Sequence, residues 1–418
     1  MANGLKVPVL GTCLQMCPES ERKLRIKNNM IHTLEKSCDS GKKNDYLLIK
    51  SFSRSAAGNT RSCDPKEIRP PYICRRTTNY LIENVLFRNG GFYSADFKMD
   101  LTTYHFVFDR LRAVRQDMIV QRTECLETET DLNDVVIHTH ILQVCIKFHL
   151  LAHYLFCTNH TSTQTEGQRN RVSSTFDSHI NFSHMLECLK MILNCFEILY
   201  PRQCDSNVSI IKANSNSIDK SLSKSEKSIM NSTRIDMIVV YLLLNLGSYH
   251  SYKWGLELDS DIKNNEKVTQ ALKLNSLYSE RNFVRLFKEA LKLPLLYLLA
   301  FHWNLPVIYK ELLMVMNTAY SSKNCNFPAT RFAVLFGLEG VDEEKVISVF
   351  KEHDIKTQYL HSGAEFDDDT SCLTKISICF DKSNFNMSTS FKWQEFPHIG
   401  KLLTKENLLM FFFDSLVK

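Results

Sequence analysis

The sequence predicts a mainly all-α fold, a stack of helical hairpins ending in a small winged-helix module, and three observations lead there. Glycine and proline are scarce, 13 and 10 of 418 residues, against usual levels of ~7% and ~5%. Each tight hairpin wants such residues, so a chain of many short strands is disfavoured. Apolar residues recur at helical spacing through most of the chain. After residue 320 the texture changes to two short helices followed by two alternating stretches, Ile355 to Tyr359 and Ile376 to Phe380, which together describe a winged helix. An apolar share of 44% and a charged share of 23% exclude a wholly disordered, collagenous or coiled-coil chain. At ~150 residues per domain the length implies about 2.8 domains.

Residues 12 to 37 read as an entry loop and a helix, with Pro18 at its start and Glu19 and Glu21 in its first turn. Residues 37 to 71 are polar and turn-rich, a surface crossing. Tyr72 to Phe87 regains helical spacing through Ile73, Thr77, Tyr80, Leu81 and Asn84, and Asn89-Gly90-Gly91 closes it as a left-handed cap. Val107 to Arg122 carries the stripe Val107, Leu111, Val114 and Met118, with Arg112, Arg115 and Arg122 beside it, within about 80° of each other. Val135 to Phe156 has a broad apolar face, predicting a buried helix. Two polar stretches, 158–178 and 201–233, read as linkers. Further helices are predicted at Phe182 to Tyr200, Arg234 to Leu246, Lys267 to Tyr278, Glu280 to Lys292 and Val307 to Tyr320, with Pro294 ending or kinking the fourth. Ala329 to Phe336 is a short helix, and Asp342 caps another that reaches His353. The chain thus divides into a basic entry region (1–125), a helical-hairpin region (126–320), the winged helix (321–382) and a C-terminal tail (383–418).

No uninterrupted run of ~18 apolar residues occurs, and the opening residues lack the apolar core of a secretory signal. A soluble protein without a membrane partner is expected. Fourteen cysteines are scattered, many within apolar segments, which points to a reducing compartment, nucleus or cytoplasm, rather than a disulfide framework. Net charge is +5 but uneven. Residues 1–125 hold 21 Lys and Arg against 13 Asp and Glu, giving +8, and the remainder holds 30 against 33, giving −3. Any anionic partner is therefore expected at the front.

Cys13 and Cys17 have a spacing that zinc pairs use, but no second ligand pair follows, which favours a structural role. His149 and His153 stand one helical turn apart without the acidic residue of a zinc hydrolase, on a helix that reads as buried. The chain has no phosphate-cradling glycine loop, nucleophile elbow or dinucleotide fingerprint. No catalytic residue, metal site or cofactor is assigned, and no enzyme activity is expected. Arg22, Lys23, Arg25, Arg75, Arg76, Arg112, Arg115 and Arg122 form the candidate nucleic-acid surface, because phosphate binding needs clustered cations. The competing possibility is an ion-paired face, with Asp109 and Asp117 as partners.

The stretch Gly11-Thr12-Cys13-Leu14-Gln15-Met16-Cys17-Pro18, with Glu21-Arg22 behind it, resembles the opening signature of the Sac/GANP family of messenger-RNA export scaffolds. Other motifs follow in the family's order: Ser53 to Gly58, Ile68-Arg69-Pro70-Pro71 with Tyr80-Leu81, and Phe106-Val107-Phe108-Asp109-Arg110-Leu111-Arg112 through Asp117. Phe148-His149-Leu150-Leu151, Ala271-Leu272 through Phe287, and Ile378-Cys379-Phe380-Asp381-Lys382 complete a resemblance that spans residues 11 to 382. It implies a PCI-like domain, a noncatalytic scaffold that pairs through its winged helix with a second PCI-domain protein and a small acidic subunit, and RNA as a further partner. It also implies that Cys13, Met16, Cys17, Pro18, Asp109 and Arg110 are structural. The chain resembles the short branch of the family, associated with centrosome duplication and mitotic progression, which adds centrosome and spindle to the expected locations. A purely centrosomal or spindle adaptor without RNA contact is the alternative.

Overall fold

The computed structural model describes residues 9–36, 46–54, 64–87, 99–121, 132–158, 176–200, 224–322, 325–339, 347, 350–351, 353–359, 376–381 and 396–413. The chain is mainly helical, with a small three-stranded sheet in a winged-helix ending. It forms two compact units, one of Met1–His153, Asn170–Met237 and Leu408–Lys418, the other of Tyr154–Arg169 and Ile238–Asn407.

The first unit begins with α1 (Glu19–Lys27), entered from Pro18 with Glu19 and Glu21 in its first turn, where acids favour the helix dipole. A 3-10 turn at Thr33–Glu35 follows. Helix α2 (Pro71–Tyr80) continues into a wide turn, Leu81–Leu86, closed by the Phe87 amide reaching back five residues to the Ile82 carbonyl at 3.3 Å. Asp100 caps α3 (Leu101–Val120), accepting from the Thr103 amide at 2.6 Å. That helix begins six residues before the predicted Val107, because the cap lies upstream of the stripe.

Helix α4 (Leu132–Thr158) is long and apolar enough to cross a bilayer by length and composition, yet 89% of its apolar window is buried within the fold. Its interrupting polar side chains, Gln143 and Lys147 among them, hid this from a search for unbroken apolar runs. Asp177 caps α5 (Ser178–Leu199) through the Ile180 amide at 3.0 Å. Helix α6 (Lys224–Leu244) starts ten residues before the predicted Arg234, inside the stretch read as linker. Met230 and Thr233 are buried there, so packing overrides a composition rich in Ser, Asn and Lys.

In the second unit, α7 (Tyr249–Leu256), the one-turn α8 (Ser260–Lys263), α9 (Glu266–Ser279), α10 (Phe283–Ala290), α11 (Leu295–His302) and α12 (Leu305–Ala319) succeed one another with short connections. Pro294 separates α10 from α11. Beyond α12 come β1 (Phe327–Pro328), α13 (Ala329–Leu335), β2 (Lys356–Tyr359) and β3 (Ile376–Cys379). The strands lie in the order β1-β3-β2, antiparallel, with Thr357 and Phe327 each opposite Ile378. Ile376 and Ile378 are buried in the central strand, but so is the intervening Ser377, because the strand is flanked by β1 and β2 on both edges. Strand β1 is too short to show in the sequence. The helix expected from Asp342 to His353 falls mostly outside the described residues, as do the Asn89-Gly90-Gly91 cap, the part of the Ser53-to-Gly58 motif after Arg54, and Arg122.

The C-terminal segment read as a tail contains α14 (Pro397–Leu402) and α15 (Lys405–Phe413). Phe396, Ile399, Leu408 and Phe412 are fully buried. The Phe412 ring meets Phe87 edge-on at 6.0 Å, and Lys147 sits 5.5 Å over Phe411. A run of aromatics this close to a chain end packs as core.

Candidate functional site

The signature motif folds around two carboxylates withdrawn from water. Asp117, on α3, is 1% exposed. It accepts from Arg69 Nε at 2.6 Å and from Lys50 Nζ at 2.5 Å. Lys50 Nζ also donates to the Glu67 carbonyl at 2.6 Å. The Met16 carbonyl accepts from the Lys50 amide at 3.0 Å and from Arg69 Nη1 at 3.3 Å. One turn beyond Asp117, Gln121 accepts from the Gly11 amide at 2.9 Å and donates to the Arg69 carbonyl at 2.9 Å. A Cβ at Gly11 would lie 2.5 Å from the Ile68 carbonyl oxygen, so only glycine allows this approach. The Thr12 and Cys13 amides then donate to Pro65 and Ile68 at 2.8 and 3.0 Å. The signature loop, residues 64–71 and α3 are thus one hydrogen-bonded block.

The second carboxylate, Glu35, is 2% exposed. It pairs with Arg25 Nη2, accepts from Arg110 Nη2 at 3.4 Å, and takes the Ile49 and His32 amides at 3.0 and 3.1 Å. Arg110 also pairs with Asp109 and lies 4.5 Å over the Phe106 ring, while Asp109 accepts from the Phe52 amide at 3.2 Å. Each buried charge has an opposite charge, and both carboxylates gather further donors, as burial of a charge demands, although Arg69 Nη2 and Arg110 Nε find no hydrogen-bond partner among the described residues. Cys13, Cys17 and Pro18 are buried within the same block. Burial pushes the Cys13 thiol up and the Cys17 thiol up to about 12, so neither is a thiolate, the form that binds metals, at neutral pH. Among the described residues no three His, Cys, Asp or Glu side chains are grouped to hold a metal ion.

Two of the candidate cations are corrected by this geometry. Arg25 is 6% exposed and is spent on Glu35, on the Ile49 carbonyl at 3.0 Å and on the Met30 carbonyl at 3.2 Å. Arg115, also 6% exposed, donates to Cys188 Sγ at 3.1 Å and lies 3.1 Å from His184 Nδ1 and 3.6 Å from Glu187. Neither faces a phosphate backbone. Helical arithmetic put Arg115 beside the apolar stripe, but α4 and α5 close over that side of α3. His149 belongs to the same interior: its Nδ1 is 2.8 Å from Asn181 Oδ1, and burial, aided by Arg115, lowers it to about 3. His153 is buried as well.

The cations left at the surface divide in two. Arg112 stacks over Phe52 at 3.9 Å and near Phe108 at 5.5 Å, with exposed Arg54 close enough to interact electrostatically. Arg22 and Arg76 line a pocket of about 200 Å³ whose walls come from the signature itself, Leu14 to Cys17, and from the segment ending at Leu48. Lys23 is exposed and lies 3.6 Å from Glu19, and Arg75 is half-buried on α2.

The sequence model of the SAC3/GANP family matches residues 16–359. The chain belongs to that family. SAC3 family protein 1 of Schizosaccharomyces pombe is 26% identical over 361 residues, which cover 82% of this chain and 31% of the relative. SAC3 family protein B of Arabidopsis thaliana is 24% identical over 88% of this chain and 20% of its own length. Protein xmas of Drosophila melanogaster is 23% identical over 66% and 11%. The chain therefore spans less than a third of the length of these relatives. SAC3/GANP proteins are non-catalytic scaffolds as a family.

Within this SAC3/GANP member the residues that complete the buried block, Glu35, Lys50 and Gln121, stand in no family motif. Arg69 and Asp117 stand in family motifs; the sequence offers Asp117 as a partner for the surface arginines, whereas the fold gives it to Arg69 and Lys50. A signal did exist: each cation sits next to an apolar run, as in Leu48-Ile49-Lys50 and Ile68-Arg69-Pro70.

Proposed function

We propose that this chain is a noncatalytic SAC3/GANP-type scaffold that assembles a complex with a PCI-domain protein and a small acidic subunit. It serves messenger-RNA nuclear export or processing and the centrosome duplication and mitotic progression roles of short family members, in nucleus and cytoplasm and at the centrosome or spindle. The observation that carries this reading is the winged-helix ending, with strand order β1-β3-β2 and Val334 exposed on α13, in a chain matched by the family across residues 16–359. A small winged-helix module of this kind serves protein or nucleic-acid docking. Affinity purification of the full chain is expected to recover a PCI-domain protein, and Val334→Asp to weaken that recovery; wild type that recovers none overturns the partner clause.

RNA contact is a separate clause, supported by Arg112 on Phe52 beside Arg54, an arrangement of ring and guanidinium on which bases stack. The double variant Arg54→Glu and Arg112→Glu is expected to reduce retention of a labelled single-stranded RNA in a gel-shift assay, and equal retention removes these residues from the clause. Arg115→Glu is unsuitable for this purpose, because it would break the interior. The burial of Arg25 and Arg115 thins the basic surface and favours the second reading, a spindle or centrosomal adaptor without RNA contact. Imaging a tagged copy through mitosis separates the two: polar foci without interphase nuclear signal support the adaptor, and steady nuclear signal supports export.

A further inference from the structure

The pocket beside the signature has three properties that together name an occupant. Its lining of Leu14, Met16, Leu47 and Ile73 with Arg22 and Arg76 contains no carboxylate. Among the described residues neither guanidinium has an ion-pair partner, whereas Arg25, Arg69, Arg110 and Arg115 nearby in the sequence are all engaged. The floor is fixed, since the Met16 carbonyl is held from two sides and Cys17 is 2% exposed, while the rim, Leu14 and Leu47, stands open to solvent at 64% and 45%. Six of the sixteen large apolar side chains exposed among the described residues fall between Leu10 and Leu47. Two of them, Leu14 and Leu47, line the pocket itself.

At about 200 Å³ the pocket is smaller than the ~300–1,000 Å³ of small-molecule and cofactor sites, and it is the size of one inserted side chain. Apolar walls do not suit a phosphate backbone, which needs a track of cations. We propose that this pocket docks an acidic segment of a partner polypeptide, one apolar side chain entering between Leu14, Met16 and Ile73 while flanking carboxylates meet Arg22 and Arg76. Arginine beside an apolar socket is the usual make-up of an interface hot spot. This surface lies in the first unit, whereas the winged helix lies in the second, so the inference does not depend on the PCI-partner reading.

The test uses fluorescence anisotropy on the full chain with three probes: short labelled peptides carrying a central Leu, Phe or Trp flanked by Glu, the same set flanked by Lys, and a labelled single-stranded RNA. The Glu-flanked set is expected to bind, the double variant Arg22→Glu and Arg76→Glu to lose about tenfold in affinity, and that variant to gain binding of the Lys-flanked set. Leu14→Asp is expected to abolish binding of the Glu-flanked set without changing the melting temperature. No preference for the Glu-flanked over the Lys-flanked set, undiminished binding by the double variant, or loss of RNA binding with peptide binding intact would each overturn the proposal. Recovery of the winged-helix partner, measured on the same double variant, is expected to stay at the wild-type level.

Discussion

Around Asp117 and Glu35 the first unit is held by charges sealed from water, whereas around Phe287 the second is held by rings. Phe287 is fully buried, stacks on Tyr309 at 5.4 Å, and meets Phe336 and Phe301 edge-on at 5.6 and 6.1 Å. One buried polar group there is paired within the ring cluster: Tyr309 Oη donates to the Phe336 carbonyl at 2.8 Å. The difference teaches how the signature loop, itself uncharged from Gly11 to Pro18, comes to be held by buried ion pairs on its neighbours. Loops have no ladder of backbone bonds to hold them, so carboxylates that each gather several donors from distant segments fix the signature loop. In the second unit helices satisfy their own backbones, and packing suffices.

If that contrast is right, Asp117→Asn is the most damaging change, leaving Arg69 as a buried uncompensated charge and the half-buried Lys50 without its partner. A loss of about 3–5 kcal/mol is expected, measured by denaturant unfolding and little altered by added salt, because buried pairs are weakly screened. Acid attacks the same unit next. His149 has a native value of about 3 against an ordinary 6.5, so above pH 6.5 it contributes no pH dependence. Below that, the unfolded chain binds a proton the native state refuses. Stability should therefore fall as pH drops from 6.5 toward 3, by about 1.4 kcal/mol per pH unit for this one group. His149→Gln, which cannot take that proton, should flatten the slope by one proton in melts run from pH 7 to 4.5.

In the second unit Phe287→Leu is expected to cost only about 1.5 kcal/mol, since an apolar core repacks around a similar volume. A loss above that of Asp117→Asn would erase the contrast. The smallest effect belongs to Arg76→Glu, at most about 0.5 kcal/mol, because this side chain is exposed and has no ion-pair partner among the described residues. A thermal melt equal to wild type checks it.

Helices α3, α4, α5 and α9 were legible because their apolar spacing is long and regular, and β2 and β3 because Ile376, Ser377 and Ile378 alternate. The winged helix was legible as an order of elements, except β1, two residues paired only through Ile378 and Ser377 of β3. The start of α6 and the helices α14 and α15 were not, since burial of Met230 or Phe412 depends on distant neighbours rather than on local pattern. The motif positions were found, but the partition of arginines into buried and exposed was not. Arg112 and Arg115 differ by less than one helical turn, and only the closing of α5, through Cys188, His184 and Glu187, turns one inward.

By itself the sequence determined the helical class, the order of elements and the family, because each is written in local spacing and in ordered motifs. Tertiary structure alone decided which charges the solvent sees. A guanidinium's environment is set by whatever folds against it, and Glu35 reaches Arg110 across 75 residues of sequence. No local period records that meeting.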